Sequence, residues 1–354
     1  MSVGRRTAVV DGLGAVLVVL DVGVTLLATR SGGIATSQVT LLLATAATVV
    51  VARLVGLVHR ALIPGVVVGV AVGMALTSWP VVGGGPLSGP FGYRNATGAF
   101  YVQAAVAALM VILSVRRPPL RLLLVAVAVS FVVVAAADSL AAGMTLAIFP
   151  IVLVARRGGR WTRLEVVVAG FLVLLVLVGT VVLGATYKPG SNSPLVRALT
   201  DRRLVLWHES LQIIADHPGG VGAGRFRYVA PTAIADRDAR WAHNEFLQQG
   251  VELGWSGLVL AMLLFLWGFA RLLVHPEPDA IVALGAVSLA ALGMHASVDY
   301  ILHFPAVLLA TAALVGTAQA LPLRGFPIDR DRTRQEDHED RPRSDRLADT
   351  PTTG

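Results

Sequence analysis

The chain has 354 residues, 55% of them hydrophobic and only 14% charged, with a formal net charge of +7. A soluble domain carries about 25% charged residues, and its apolar runs are broken every few positions by a polar face. Here Val166–Leu183 and Trp255–Phe269 run on almost without interruption and the mean hydropathy is +0.72, which excludes a soluble fold. The absence of cysteine excludes disulfides and thiolate metal sites.

About 20 apolar residues cross a hydrocarbon core of about 30 Å. On that measure ten spans are expected, near residues 7–29, 37–58, 62–79, 95–115, 119–137, 139–155, 164–186, 255–272, 279–296 and 301–321. The fold class is therefore all-α, a polytopic membrane helical bundle. The connections at 59–61 and around Asp138 are so short that their flanking spans must be antiparallel hairpins. Arg5 and Arg6 before an apolar run imitate a secretion signal. No small-residue cleavage site follows, so the first span is expected to stay uncleaved. Asp11 and Asp21 within it are ten residues apart, about 80° around a helix. They do not form a pair and read as structural, with Asp11 able to reach the membrane edge near Arg5 and Arg6.

Arginine sets the orientation. With the N-terminus inside, twelve arginines fall in inside segments, from Arg5 and Arg6 to Arg271, against only Arg30 and Arg94 in the short outside ones. The sequence pI near 10.6 is thus a topology signal, and no nucleic-acid partner is expected. Residues 1–323 are expected to form the transmembrane helical domain, including a large extracytoplasmic loop at about 187–253. The tail 324–354, rich in Arg, Asp, Glu and Pro, is expected to be disordered and cytoplasmic.

The large loop holds eight basic residues, seven acids and three of the eight histidines. A loop of this length inside a compact protein commonly carries function. Thr200–Asp216 reads as a helix, capped by Thr200 and stopped by His217-Pro218-Gly219. Arg203, Trp207, Leu211 and Ile214 share one stripe. Its apolar part is expected on the membrane surface, with Trp207 at the headgroup level and Arg203 near a lipid phosphate or acting as an ordinary interfacial anchor. Gly219, Gly220, Gly222 and Gly224 then lead to Arg225. Such a run permits close backbone approach to an anion, or a plain turn. In the second half, His243, Leu247 and Val251 share a helical stripe leading into the eighth span. A histidine at a helix start, beside the positive end of the dipole, suits a general base, which must be unprotonated to accept a proton. A structural role is the alternative.

Arg94 and Asn95 open the fourth span from outside, and His295, Asp299 and His303 lie at the outer junction of the last two. Convergence of Arg94, Arg203, Arg225, His243, Asp299 and His303 on one membrane face is the main hint of a site. The outer segments 30–37 and 80–94 contain no acid to hold a divalent ion. Phosphate there would be neutralised by arginine, which stays charged and binds bidentately.

His243-Asn244-Glu245-Phe246-Leu247 with Glu252-Leu253-Gly254 and Gly257-Leu258 resembles the signature of the O-antigen ligase and O-antigen polymerase superfamily. Arg203-x-x-x-Trp207, His217-Pro218, Gly220-Val221-Gly222 and Phe226 resemble the first half of that family's outer loop. Phe91-Gly92 with Asn95, and His295-x-x-x-Asp299 with Pro305, resemble a middle and a late span. The resemblance covers roughly residues 90–310 and implies a glycosyltransferase-C-like bundle. It also implies metal-independent, inverting glycosyl transfer without a cofactor, in a bacterial cytoplasmic membrane. The donor would be a glycan on polyprenyl (undecaprenyl) diphosphate; the acceptor would be a hydroxyl on a glycan, lipid or protein. By position, His243 is the base and Arg203 a diphosphate ligand. Arg94, Asn95, Trp207, Arg225, Asn244, Glu252, Asp299 and His303 are the candidate substrate-binding residues. The family often carries Ser-Arg-Gly where this chain has Asp138-Ser139-Leu140-Ala141, so one arginine is missing, and Arg94 is the candidate replacement. A transporter or flippase, or a non-catalytic subunit of an envelope assembly complex, are the rival readings. The gathering of polar residues at the outer face and the lack of an internal repeat speak against transport.

Overall fold

The computed structural model describes residues 3–28, 34–78, 90–139, 142–143, 160–188, 201–236 and 239–321. The sixth expected span, most of the turn that departs from the family pattern, the cap at Thr200 and the tail lie outside the described residues. Met1–Leu321 form one compact unit.

Nine of the ten expected spans coincide with helices: α1 (Val3–Leu27), α2 (Ile34–Val58), α3 (Leu62–Ser78), α4 (Arg94–Ser114), α5 (Pro118–Asp138) and α6 (Arg160–Thr186). After the loop elements α7 (Asp201–Asp216), α8 (Phe226–Val229) and α9 (Pro231–Ala235) come α10 (Glu245–Leu273), α11 (Ala280–Ala296) and α12 (Pro305–Gln319). Among the described residues six helices are long and apolar enough to cross a membrane, and α3, α11 and α12 are shorter apolar helices. The chain is a helical, multi-pass membrane protein.

The bundle is built around α4. Ala96, Ala99, Ala104, Ala105, Ala107 and Ala108 are buried on it. Small side chains let backbones approach closely where lipid supplies no hydrophobic drive between helices. Within this apolar interior Ser288 of α11 donates to Gln103 Oε1 at 2.5 Å, and Gln103 Nε2 donates to the Ser288 carbonyl at 3.2 Å, a polar bridge across α4 and α11. The outer faces of α1, α5 and α6 expose Leu13, Val16, Leu20, Leu122, Leu123, Phe171 and Leu175. Contiguous exposed apolar surface of this kind belongs against lipid.

Ion pairs hold one end of the bundle. Asp11 accepts from Arg53 at 2.9 Å and from the fully buried Arg271 at 2.7 Å, tying α1 to α2 and α10. Arg60 pairs with Asp279, the N-cap of α11, and donates to the Ala320 carbonyl at 3.2 Å. Asp11 thus has the structural role expected of it, with Arg53 and Arg271 as partners.

The helical stripe expected to lead from His243 into the eighth span is present: α10 starts at Glu245 and bends at Gly254, whose φ is 71°, just before the span expected from 255. One expected feature differs: Trp207 is not at a headgroup surface. It is fully buried with Leu204, Leu206 and Ile214 in a second core formed by the loop. A protein neighbour, the chain of α6, α10 and α9, covers the stripe that the sequence pattern leaves to lipid.

Candidate functional site

The opposite end of the bundle from the Asp11 and Arg60 pairs gathers polar side chains from α4, α7, α10 and the turn between α11 and α12. Helix α7 presents Arg203 there because it lies one turn from the buried Trp207 on the same stripe, and the Trp207 indole reaches the His243 carbonyl. After α7, Pro218–Gly224 fold back onto the bend of α10. The Val221 and Gly222 amides donate to the Val251 and Glu252 carbonyls, each at 2.9 Å, and the Trp255 amide donates to the Pro218 carbonyl at 3.1 Å. The approach is so close that a Cβ on Gly254 would lie 2.2 Å from the Pro218 oxygen. Only glycine combines that proximity with a left-handed φ.

His243 precedes α10 with φ of 49°, the one positive φ outside glycine among the described residues. Its neighbours enforce that conformation. Asn244 caps α10 by accepting from the Leu247 amide at 3.0 Å, while its own amide donates to Thr180 Oγ1 at 3.0 Å and the Ser297 carbonyl at 2.7 Å. The Trp207 indole N–H donates to the His243 carbonyl at 3.1 Å. Strained backbone over-determined in this way is typical of working sites.

The imidazole so placed meets Asp299. His243 Nδ1 lies 3.0 Å from Asp299 Oδ1, and Arg203 Nη2 donates to Oδ2 at 3.2 Å. Tyr93 Oη donates to the same carboxylate at 2.7 and 2.8 Å, Asn95 Nδ2 donates to Oδ2, and the Tyr300 amide donates to Oδ1 at 2.8 Å. Asp299 is wholly inaccessible. Burial alone would raise its pKa; the His243 hydrogen bond and the charge of Arg203 outweigh it and hold the carboxyl below the usual range. A carboxylate only accepts, so Nδ1 of His243 carries a proton, and in the neutral imidazole Nε2 is then the acceptor. Burial, then the adjacent Asp299 charge, pushes the Tyr93 hydroxyl up, so it remains a donor.

A second couple lies beside the first. His303 Nδ1 is 2.9 Å from Glu245 Oε1, which also accepts from the Leu302 amide at 3.0 Å. The Trp241 ring lies 4.1 Å from the His303 ring and stacks on Tyr300 at 5.9 Å, while His243 meets Tyr300 edge-on at 4.9 Å.

Of the expected site residues, Arg203, His243, Asp299 and Asn95 come together directly, with His303 one aromatic ring away. Arg94 is exposed at the first turn of α4, and Arg225 is exposed before α8. Trp207, Asn244 and Glu252, also expected to bind substrate, are buried and hydrogen-bonded within the protein. Glu252 accepts from the Gly224 amide at 2.7 Å and from Gln38 and Gln248, each at 3.2 Å, and so clamps the glycine loop. Tyr93, Glu245 and Tyr300 are site residues that sequence reasoning passed over. Each sits beside a residue that was singled out, Arg94, Asn244 and Asp299, and sequence adjacency was the available signal.

These features define a class: a helical membrane protein carrying, at one end, an imidazole and a guanidinium on one buried carboxylate. A family model described as O-antigen ligase matches residues 126–262, which bears out the resemblance read from the sequence. The matched stretch contains Arg203 and His243; Tyr93, Asn95 and Asp299, which meet them, lie outside it. No curated protein matches the chain.

Proposed function

We propose that the protein transfers a glycan from a polyprenyl diphosphate carrier to an acceptor hydroxyl at the outer face of the cytoplasmic membrane, without a metal. The observation that carries this reading is the sharing of Asp299 by His243 and Arg203. Asp299 fixes the His243 tautomer and ring, which leaves Nε2 as the base. The acceptor O–H gives its proton to Nε2 as its oxygen bonds to the sugar C1. The bond from C1 to the phosphate oxygen breaks on the opposite face, its electron pair leaves with the diphosphate, and configuration inverts. The proton then passes from His243 to water.

In this reading Arg203 stabilises the charge that grows on the departing diphosphate. A preorganised cation in a water-poor site contributes several kcal/mol to such a step. The family match supports glycan transfer in general terms. The donor and the inversion are what the resemblance implies, and the choice of His243 as base is our reading of the geometry. Replacing His243 by Ala should abolish glycan product in cells while leaving expression and membrane insertion intact. Undiminished product would remove His243 from the mechanism.

A further inference from the structure

Two histidines at this end of the bundle sit on buried carboxylates, and the two couples are cross-linked: His243 and Glu245 flank Asn244, while Asp299 and His303 flank a single short turn. Their surroundings differ in one physical respect. Asp299 is already countered by the Arg203 guanidinium and by the Tyr93, Asn95 and Tyr300 donors. Glu245 accepts from one backbone amide and otherwise only from His303 among the described residues. Environments that separate two like groups in this way assign them different protonation states.

We propose that His303, held by Glu245, is the second cation of the site and binds a phosphate oxygen of the donor diphosphate through Nε2–H. This rests on the diphosphate donor proposed above. A diphosphate presents more negative charge than Arg203 alone can offset, since that guanidinium is shared with Asp299. His303 is close enough to act with it, because Tyr300 touches both imidazoles, with ring separations of 4.9 Å to His243 and 6.2 Å to His303. Nδ1 is engaged by Glu245, so the imidazolium directs its remaining N–H away from that carboxylate. Trp241 against the ring further favours the charged form. The ionisable groups around His303 are Glu245 and Glu252 from α10, Tyr300 on its own segment, and the Asp299, Arg203 and His243 cluster beyond that ring. Burial opposes the charge of His303, but Glu245 first, and then Glu252, raise its pKa above the ordinary value.

The test is calorimetric binding of inorganic pyrophosphate to the detergent-purified full chain across about pH 6 to 9. For the wild type, binding should weaken as pH rises through the raised value, where His303 loses its charge. His303→Asn keeps a donor for Glu245 but no charge, and should bind at least about tenfold more weakly at the acid end. His303→Arg should restore affinity and flatten the pH dependence, an outcome that a merely structural role would not give. Glu245→Gln should move the loss of binding to lower pH. Equal binding by wild type and His303→Asn at every pH, or no binding by the wild type, overturns the proposal. If pyrophosphate binds as described but the enzyme transfers no glycan, the transfer reading falls and the diphosphate ligand stands. Transfer with an unchanged donor KM in His303→Asn gives the reverse.

Discussion

Asp299 is the residue on which the geometry turns. A neutral amide in its place keeps the shape but takes the counter-charge from Arg203 and presents an N–H to an imidazole that needs an acceptor. Asp299→Asn should therefore lower kcat by about 10²–10⁴-fold, as loss of the tautomer-fixing carboxylate does in other histidine bases, with the fold retained by circular dichroism. The same residue makes a pH prediction. Its folded pKa lies below the unfolded value of about 4. Its contribution to stability is thus present above pH 4 and is lost as pH falls toward the depressed folded value. The difference in thermal stability between wild type and Asp299→Asn should shrink over that acid interval; a difference independent of pH would contradict the assignment. At this scale the sequence was legible where chemistry is rare: an arginine, two histidines and an aspartate beside the spans stand out because charge is scarce there. Which of them meet was not legible. Glu252 and Asp299 look alike in sequence, yet one clamps a glycine loop and the other anchors the histidine, because that choice depends on which helix packs beside which.

The elements that aim these side chains are α7 and the bent α10. Gly254→Ala would place a Cβ 2.2 Å from the Pro218 oxygen at a φ of 71°. A left-handed non-glycine residue costs about 1–3 kcal/mol before any clash is counted. The variant should lose thermal stability by at least that much and lose activity with it, as the His217–Gly224 loop can no longer dock; an unaltered melting temperature would refute the role of the bend. Helix α7 began within a residue of where its stop and cap signals put it. Its environment was misjudged because an amphipathic stripe specifies an apolar neighbour without saying whether that neighbour is lipid or protein. Leu204, Leu206 and Ile214 found protein.

For the whole molecule, the nearly unbroken apolar runs were enough to place nine helices among the described residues, six of them long and apolar enough to cross a membrane. The shorter helices α3, α11 and α12 were legible from their apolar composition, although the last begins at Pro305, four residues after the expected start. The two ends of the bundle carry different duties. Asp11→Ala should destabilise by about 1–3 kcal/mol, since it strips the buried Arg271 of its charged partner. It should leave the kinetic constants of the surviving protein unchanged, because the pair lies at the end away from Asp299; an altered donor KM in purified Asp11→Ala would contradict that separation.

The central claim is that a glycan leaves its lipid diphosphate at the imidazole and guanidinium sharing Asp299. The most direct measurement uses purified protein in liposomes with a polyprenyl-diphosphate-linked glycan, an acceptor and a metal chelator, following product and released polyprenyl diphosphate together. The account predicts that the wild type forms both in equal amounts and that His243→Ala forms neither. Transfer that persists in His243→Ala, or that stops for the wild type when metal is removed, would contradict it.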